Sequence, residues 1–117
     1  MVARRRTSRI ALQLTARWLR PGRALPITVA DMNAHGLFLA DQRDMPLGEL
    51  QQIEVDLPTG PVRLLVVPRY NVGTEWAGGV GVEIFAASPL DRNLWMWCFE
   101  TSGGRHRRGA RALRAVG

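Results

Sequence analysis

Apolar and polar residues alternate along most of this chain, and the period changes only near its end. From Arg9 to Leu19, alternate apolar residues oppose a face that carries Gln13, Thr15 and Arg17. This period of two predicts a strand with one buried face. Pro21-Gly22 is a turn signal, after which the alternation resumes in "ALPITVADM". The two segments together predict a β-hairpin.

Four further apolar segments predict strands. "LFLA" is short and leads into a polar connection, and "LQQIEVDL" and "VRLLVVPRY" flank the turn signal "PTGP" in a second predicted hairpin. Pro68 removes a ladder donor, so we expect a strand end, a sheet edge or a bulge there. A glycine-containing loop, "NVGTEWAGG", then leads to "VGVEIF" as the last strand.

The segment after residue 87 has the features of a helix. Ser88 fits the N-cap, Pro89 the first helical position, and Gly103-Gly104 a stop. One face carries Leu90, Leu94, Trp97, Cys98 and Thr101, and Trp95, Met96 and Phe99 leave little of the rest polar, so we expect a largely buried helix. Such an apolar helix covers the mouth of a barrel, or else presents a surface to a partner. Five or six strands followed by one helix predict a small antiparallel β-barrel with a C-terminal cap.

Charge divides the chain into three parts. All sixteen cations are arginine; four lie in residues 1–9 and five in residues 104–117, and neither end carries an acid. The middle holds seven arginines against ten acids, so the net charge of +6 comes from the ends. We therefore predict a flexible arginine-rich segment at 1–9, a barrel with its helix at 10–103, and a disordered basic tail at 104–117.

Several functional classes are disfavoured. No apolar run approaches the roughly 18 residues of a membrane span, and no signal-peptide core follows the basic N-terminus, so we expect a cytoplasmic protein without membrane insertion. The lone Cys98 is predicted to be a small buried hydrophobe. His35 and His106 lack metal-ligand partners, and the sequence has neither a nucleophile elbow nor a P-loop. We predict no metal, no cofactor and no catalysis.

Two polar patterns flank the first hairpin. Arg5-x-x-x-Arg9 enters the first strand, and "DMNAHG", from Asp31 to Gly36, leaves the second. These positions should meet at one end of an antiparallel pair. Arginine forks onto phosphate or onto O6 and N7 of guanine, and a carboxylate accepts from the opposite guanine edge. Gly36 would permit a positive φ or a close approach to the ligand. The alternative is that Asp31 and Asn33 only cap a turn.

"RRRTSR" and "DMNAHG", with 21 residues between Arg9 and Asp31, resemble the PilZ family. Its hallmark is RxxxR, then a hairpin, then [D/N]xSxxG. Arg5 and Arg9 match the first motif, Asp31 and Gly36 match the second, and Asn33 stands where the family has Ser. "GVGVEIF" resembles the last strand of the family, so the resemblance extends from residue 4 to about residue 101.

The resemblance implies a six-stranded antiparallel barrel with a C-terminal helix that binds the bacterial second messenger cyclic di-GMP. Arg5 and Arg9 would clamp the ligand, Asp31 and Asn33 would hold a guanine edge, and Arg4 would favour an intercalated ligand dimer. The protein would then be a non-catalytic receptor that changes its surface for an unidentified protein partner. Two alternatives stay open: a degenerate adaptor that binds only protein, and a nucleic-acid binder, which the acidic middle disfavours.

Overall fold

The computed structural model describes residues 10–42, 44–73 and 78–115. Its elements are β1 (Ile10–Arg20), β2 (Arg23–Met32), β3 (Gly36–Ala40), β4 (Gln51–Leu57), β5 (Gly60–Gly73), β6 (Gly78–Ala86) and α1 (Pro89–Ala115). The strands form a closed barrel in the order β1-β2-β3-β6-β5-β4, and every neighbouring pair is antiparallel. The predicted six-stranded antiparallel barrel with a C-terminal helix is confirmed.

The first two hairpins form at the predicted turns, whereas the loop predicted between the last two strands is shorter than expected. Arg20 pairs with Arg23 across Pro21-Gly22, and Leu57 pairs with Gly60 in the second hairpin. The segment predicted to be a loop is instead paired from Asn71 to Gly73, because the β5–β6 ladder continues to Gly73 opposite Gly78. Glycines in this region are compatible with strands, since glycine is also found where two backbones approach closely.

The barrel interior is filled with apolar side chains. Its largest fully buried members are Trp18, Trp95, Met32, Leu39, Ile53 and Leu64. Trp18 is 2% exposed, and its indole Nε1–H donates to Oε1 of Gln51 at 2.9 Å. The buried polar group therefore has a partner, as burial requires. The guanidinium of Arg20 lies 4.5 Å from the centroid of the Trp18 ring.

Helix α1 packs against the barrel with only part of its apolar surface. Ser88 Oγ accepts from the Asp91 backbone N–H at 3.1 Å, which confirms the N-cap. Trp95 and Cys98 join the core, as predicted for Cys98, whereas Leu90 and Trp97 are 66% and 53% exposed. The helix is therefore less buried than predicted at these two positions. Two long-range hydrogen bonds hold its orientation, from Arg63 N–H to Asp91 Oδ2 and from the Trp95 indole to a loop carbonyl.

The helix also ends later than predicted. It continues through Gly103-Gly104 to Ala115, so most of the tail predicted to be disordered has a helical backbone. Each glycine costs a helix about 1 kcal/mol, but arginine, alanine and leucine, which dominate residues 105–115, are among the best helix formers. An existing helix also extends without a new nucleation cost. Two glycines are therefore insufficient as a stop signal.

One charged network lies on the outside of the barrel, across β1 and β4. Arg17 Nη2 contacts Asp56 Oδ1 at 2.6 Å, and Arg17 Nε donates to Glu54 Oε1 at 3.1 Å. Thr15 Oγ1 donates to Asp56 Oδ2 at 2.8 Å. The hydrogen bonds from Arg17, and then that from Thr15, lower the pKa of Asp56 to about 2. The same hydrogen bonds, to Asp56 and then to Glu54, raise the pKa of Arg17 above its ordinary value.

This network predicts a specific response to acid. Because the pKa of Asp56 is lowered from 3.8 to about 2 in the folded protein, its stabilising contribution is present above pH 3.8 and is lost as the pH falls towards 2. We expect the wild-type free energy of unfolding to fall more steeply over this interval than that of Asp56→Asn. Urea titrations at several pH values measure the difference.

The matched control is Arg63→Ala, because Arg63 Nε contacts Glu54 Oε2 at 3.3 Å and belongs to the neighbouring ion pair. This variant should keep the acid-dependent fall that Asp56→Asn loses. Equal pH slopes for the wild type and Asp56→Asn would contradict the assignment.

Candidate ligand-binding site

The site is built where β1 begins and β2 ends. Ile10 pairs with Met32, and Ala11 pairs with Asp31, so the chain that enters β1 lies beside the chain that leaves β2. The predicted ligand-binding residues Arg4, Arg5 and Arg9 lie outside the described residues. Their roles remain predictions, whereas the strand register that motivated them is observed.

A bulge in β2 determines which way Asp31 faces. Val29 pairs with Leu39 and Asp31 with Phe38, so β2 carries one extra residue, Ala30, opposite β3. Strict alternation would place Asp31 on the interior face with Val29. The extra residue puts Met32 in the core instead, at 0% exposure, and Asp31 is only partly buried. A bulge of this kind re-aims a side chain, and here it takes a carboxylate off the interior face.

The loop after β2 is held by hydrogen bonds on several sides. Asn33 Oδ1 accepts from the His35 backbone N–H at 2.7 Å, which is the turn-capping bond considered from the sequence. The Asn33 carbonyl accepts from Trp95 Nε1–H at 3.1 Å, and the His35 carbonyl accepts from Ile84 N–H at 2.8 Å. Helix α1 therefore holds Asn33, and strand β6 holds His35 in the same loop.

Gly36 is required for packing between strands. Its φ is not among the positive φ values of the described glycines, so the first of its two expected roles, a positive φ, does not apply. A Cβ at this position would collide with the carbonyl oxygen of Val82 on β6. The close backbone approach that Gly36 permits is therefore to β6. Glu83, the residue after Val82, pairs directly with Gly36.

A cleft of about 260 Å³ opens beside this loop. Its lining residues are Asn33, His35, Gly36, Arg69, Tyr70, Gly81, Val82 and Glu83. One wall thus comes from the second motif and the other from β5 and β6. Asp31, two residues before Asn33 in the sequence, lies near the end of β2. The cleft brings together Asn33 and Gly36 from the predicted site and adds residues that the motifs did not include.

Arg69, Tyr70 and Glu83 are these additional residues. Pro68 pairs with Val82 and Tyr70 with Gly81, so Arg69 is the extra residue of a bulge in β5. The bulge predicted at Pro68, one of three options there, is therefore confirmed. Arg69 and Glu83 form an ion pair, with Arg69 Nε donating to Glu83 Oε1 at 2.8 Å. Pro68 was the sequence signal for the bulge that contains Arg69. No residue near Arg69 in the sequence indicated that its ion-pair partner would be Glu83 on β6.

The described part of the chain contains no group of three or more His, Cys, Asp and Glu side chains placed to hold a metal ion. Of the helix within that part, no stretch is both long and apolar enough to cross a membrane.

Similarity to known proteins is found in structure rather than in sequence. No family model and no curated protein sequence matches this chain. The inhibitor of motility MotI/DgrA from Bacillus subtilis superposes with a TM-score of 0.71 at 15% identity, over 92% of this chain. YcgR from Escherichia coli in complex with c-di-GMP gives 0.75 at 17% identity, over 96% of this chain. The PilZ domain of YcgR with c-di-GMP gives 0.67 at 16% identity, over 93%.

These similarities define the class of the fold, which is a PilZ-like β-barrel. The chain spans about half of the MotI/DgrA and YcgR chains, 53% and 51% respectively. It spans 98% of the isolated PilZ domain of YcgR. In fold and extent, the structure is therefore similar to the PilZ domain of YcgR.

Proposed function

We propose that this chain binds cyclic di-GMP as a non-catalytic receptor and transmits binding to a protein partner. The observation that carries the proposal is the β1–β2 register, in which Ala11 lies opposite Asp31 at one end of a PilZ-like barrel. Arg9 is two residues before Ala11 in the sequence, so the two motifs belong to adjacent ends of one hairpin. Two of the similar structures contain c-di-GMP.

The proposed roles follow the chemistry of each side chain. Arg5 and Arg9 fork onto phosphate oxygens or onto O6 and N7 of guanine, and Asp31 accepts from the N1–H and N2 amine. Asn33 retains a carboxamide that donates and accepts, although its Oδ1 already accepts from His35 N–H. Arg4 favours an intercalated ligand dimer. No step in this scheme requires a metal or a cofactor.

Binding would act on the surface of the barrel. The arginine-rich segment 1–9 closes over the ligand at the end of β1 and β2, and the new surface is what a protein partner in the cytoplasm recognises. Ordering this segment costs free energy because conformational entropy is lost. The favourable free energy of the charge-assisted hydrogen bonds to the ligand must exceed this cost.

Isothermal titration calorimetry with cyclic di-GMP tests the proposal. We expect saturable binding by the wild type and about 10- to 100-fold weaker binding by Arg9→Ala, since a hydrogen bond to a charged group contributes about 1.5–3 kcal/mol. The control is Arg23→Ala at the opposite end of β2, which should bind like the wild type. Two ligands per chain would support the role of Arg4, and one would contradict it.

The degenerate adaptor remains the second candidate, and one contact favours it. The Asn33 side chain caps its own turn, so part of the second motif already serves the fold. Absence of binding heat from both the wild type and Asn33→Ser, which restores the family residue, would contradict the receptor and support an adaptor that binds only protein. Binding by Asn33→Ser alone would show that Asn33 has reduced the affinity.

A further inference from the structure

Among the described residues, the second motif accounts for only one wall of the cleft. Asn33, His35 and Gly36 form that wall, and Arg69, Tyr70 and Glu83 belong to the opposite one. Arg69 is exposed, on the outward side of β5 like Arg63, and Glu83 lies on β6 directly opposite Gly36. The bulge after Pro68 leaves the next residue, Tyr70, exposed as well. The opposite wall therefore carries a cation, an anion and an aromatic ring.

The Arg69–Glu83 ion pair is poorly suited to a purely structural role. Its side chains are 55% and 53% exposed, and an ion pair in such surroundings contributes little to folding stability. Arg69 Nε and Nη2 both approach the same oxygen, Glu83 Oε1, at 2.8 Å. A guanidinium has five N–H groups, and these contacts need only two of them. The pair retains hydrogen-bonding capacity for a ligand in the cleft.

Together the two side chains match the edges of guanine. Guanine presents acceptors at N7 and O6 and a donor at its N2 amine, whereas adenine has an amine in place of O6 and lacks the N2 amine. Arginine forks onto the acceptor edge, and a carboxylate accepts from the donor edge. An Arg–Glu pair that faces the base therefore favours guanine over adenine.

Tyr70 adds an aromatic surface beside this pair. Its ring lies against Gly81, where an added Cβ would collide with the ring atoms of Tyr70. The ring is therefore packed on the β6 backbone while the residue lines the cleft. Nucleobases stack on aromatic side chains in this arrangement without regard to base identity, so base selection falls to the charged pair.

We propose that Arg69 and Glu83 add to the selection of guanine by contacting the base that enters this cleft, beside the contacts assigned to Asp31, and that Tyr70 forms the surface on which this base stacks. This inference rests on the proposed function, because it assigns base selection within the same cyclic dinucleotide site.

The test compares titrations with cyclic di-GMP and with its adenine analogue cyclic di-AMP. The wild type should prefer cyclic di-GMP, and Arg69→Ala and Glu83→Gln should each bind it about tenfold more weakly and show a smaller preference. The matched control is Arg63→Ala, because Arg63 also lies on β5, is 61% exposed and pairs with Glu54 of β4. It should keep both the affinity and the preference.

The outcomes separate the two proposals. If the wild type binds cyclic di-GMP and the Arg69 and Glu83 variants keep its affinity and preference within twofold, base selection by this pair is wrong while the receptor function stands. If the wild type binds neither dinucleotide, both proposals are wrong. Circular dichroism melting of every variant shows whether a loss of binding reflects unfolding instead. In that case Arg69→Lys replaces Arg69→Ala, because lysine keeps the positive charge and should retain the fold but lacks the forked guanidinium. An undiminished preference of Arg69→Lys for cyclic di-GMP would contradict the role of Arg69 in selecting guanine.

Discussion

Trp95→Ala is expected to lower the free energy of unfolding by about 3–5 kcal/mol, because it empties a fully buried indole site. Trp95 is 1% exposed, and it belongs to the same core cluster as the barrel side chains. Its Nε1–H also donates to the Asn33 carbonyl at 3.1 Å. The substitution therefore removes packing between helix and barrel together with a support of the candidate site.

Urea unfolding followed by far-ultraviolet circular dichroism measures this loss. Trp97→Ala is the matched control, since Trp97 is two residues away but 53% exposed, and we expect a change of less than about 1 kcal/mol. Equal losses for the two variants would contradict the assigned orientation of α1. If Trp95→Ala does not fold, Trp95→Phe keeps most of the ring and removes the donor, at a cost of about 1–3 kcal/mol for the orphaned group.

Gly36→Ala is the second substitution with a large expected effect. The added methyl group would collide with the Val82 carbonyl oxygen, so β3 and β6 must separate locally. We expect the free energy of unfolding to fall by about 1–3 kcal/mol, as for other overpacked interiors. Because Gly36 lines the cleft, we also expect weaker binding of cyclic di-GMP under conditions in which the variant stays folded.

Gly79→Ala is the control for this second effect. Gly79 pairs with Ala40 at the other end of the same β3–β6 ladder, and its Cβ would collide with the Leu39 carbonyl oxygen. The two substitutions should therefore destabilise the barrel by similar amounts, measured by thermal and urea unfolding. Only Gly36→Ala should reduce affinity in calorimetry. Equal reductions of affinity would show that the cleft responds to the ladder as a whole.

The architecture of the barrel could be predicted because its signals are local. The alternation in β1 and β4, the turn at Pro21-Gly22 and the Ser88 N-cap each depend on residues close together in sequence. Which part of the helix surface is buried was less predictable. Leu90 and Trp97 share an apolar face with buried residues, yet both are exposed. The orientation of α1 is held by hydrogen bonds to Asn33 and Arg63, which lie far away in sequence.

The candidate site could be predicted in part for the same reason. The hairpin argument brought Asp31 next to the start of β1, and the β1–β2 register agrees with it. The wall that carries Arg69 and Glu83 was not predicted, because the two residues meet only when β5 pairs with β6 across a bulge. Likewise, the reason for glycine at position 36 is a backbone atom of Val82, 46 positions later in the chain.

The sequence by itself determined the strands, their turns, the beginning of the helix and the arginine-rich approach to the first hairpin. These depend on side-chain period, turn residues and caps, which act over a few residues. Only the tertiary structure decided which side chains share the cleft. The bulges at Ala30 and Arg69 shift the phase of a strand by one residue, and each shift exchanges an inward side chain for an outward one. Pro68 indicated a bulge only as one of three options, and no local pattern indicated the bulge at Ala30, because each shift is set by pairing with the neighbouring strand.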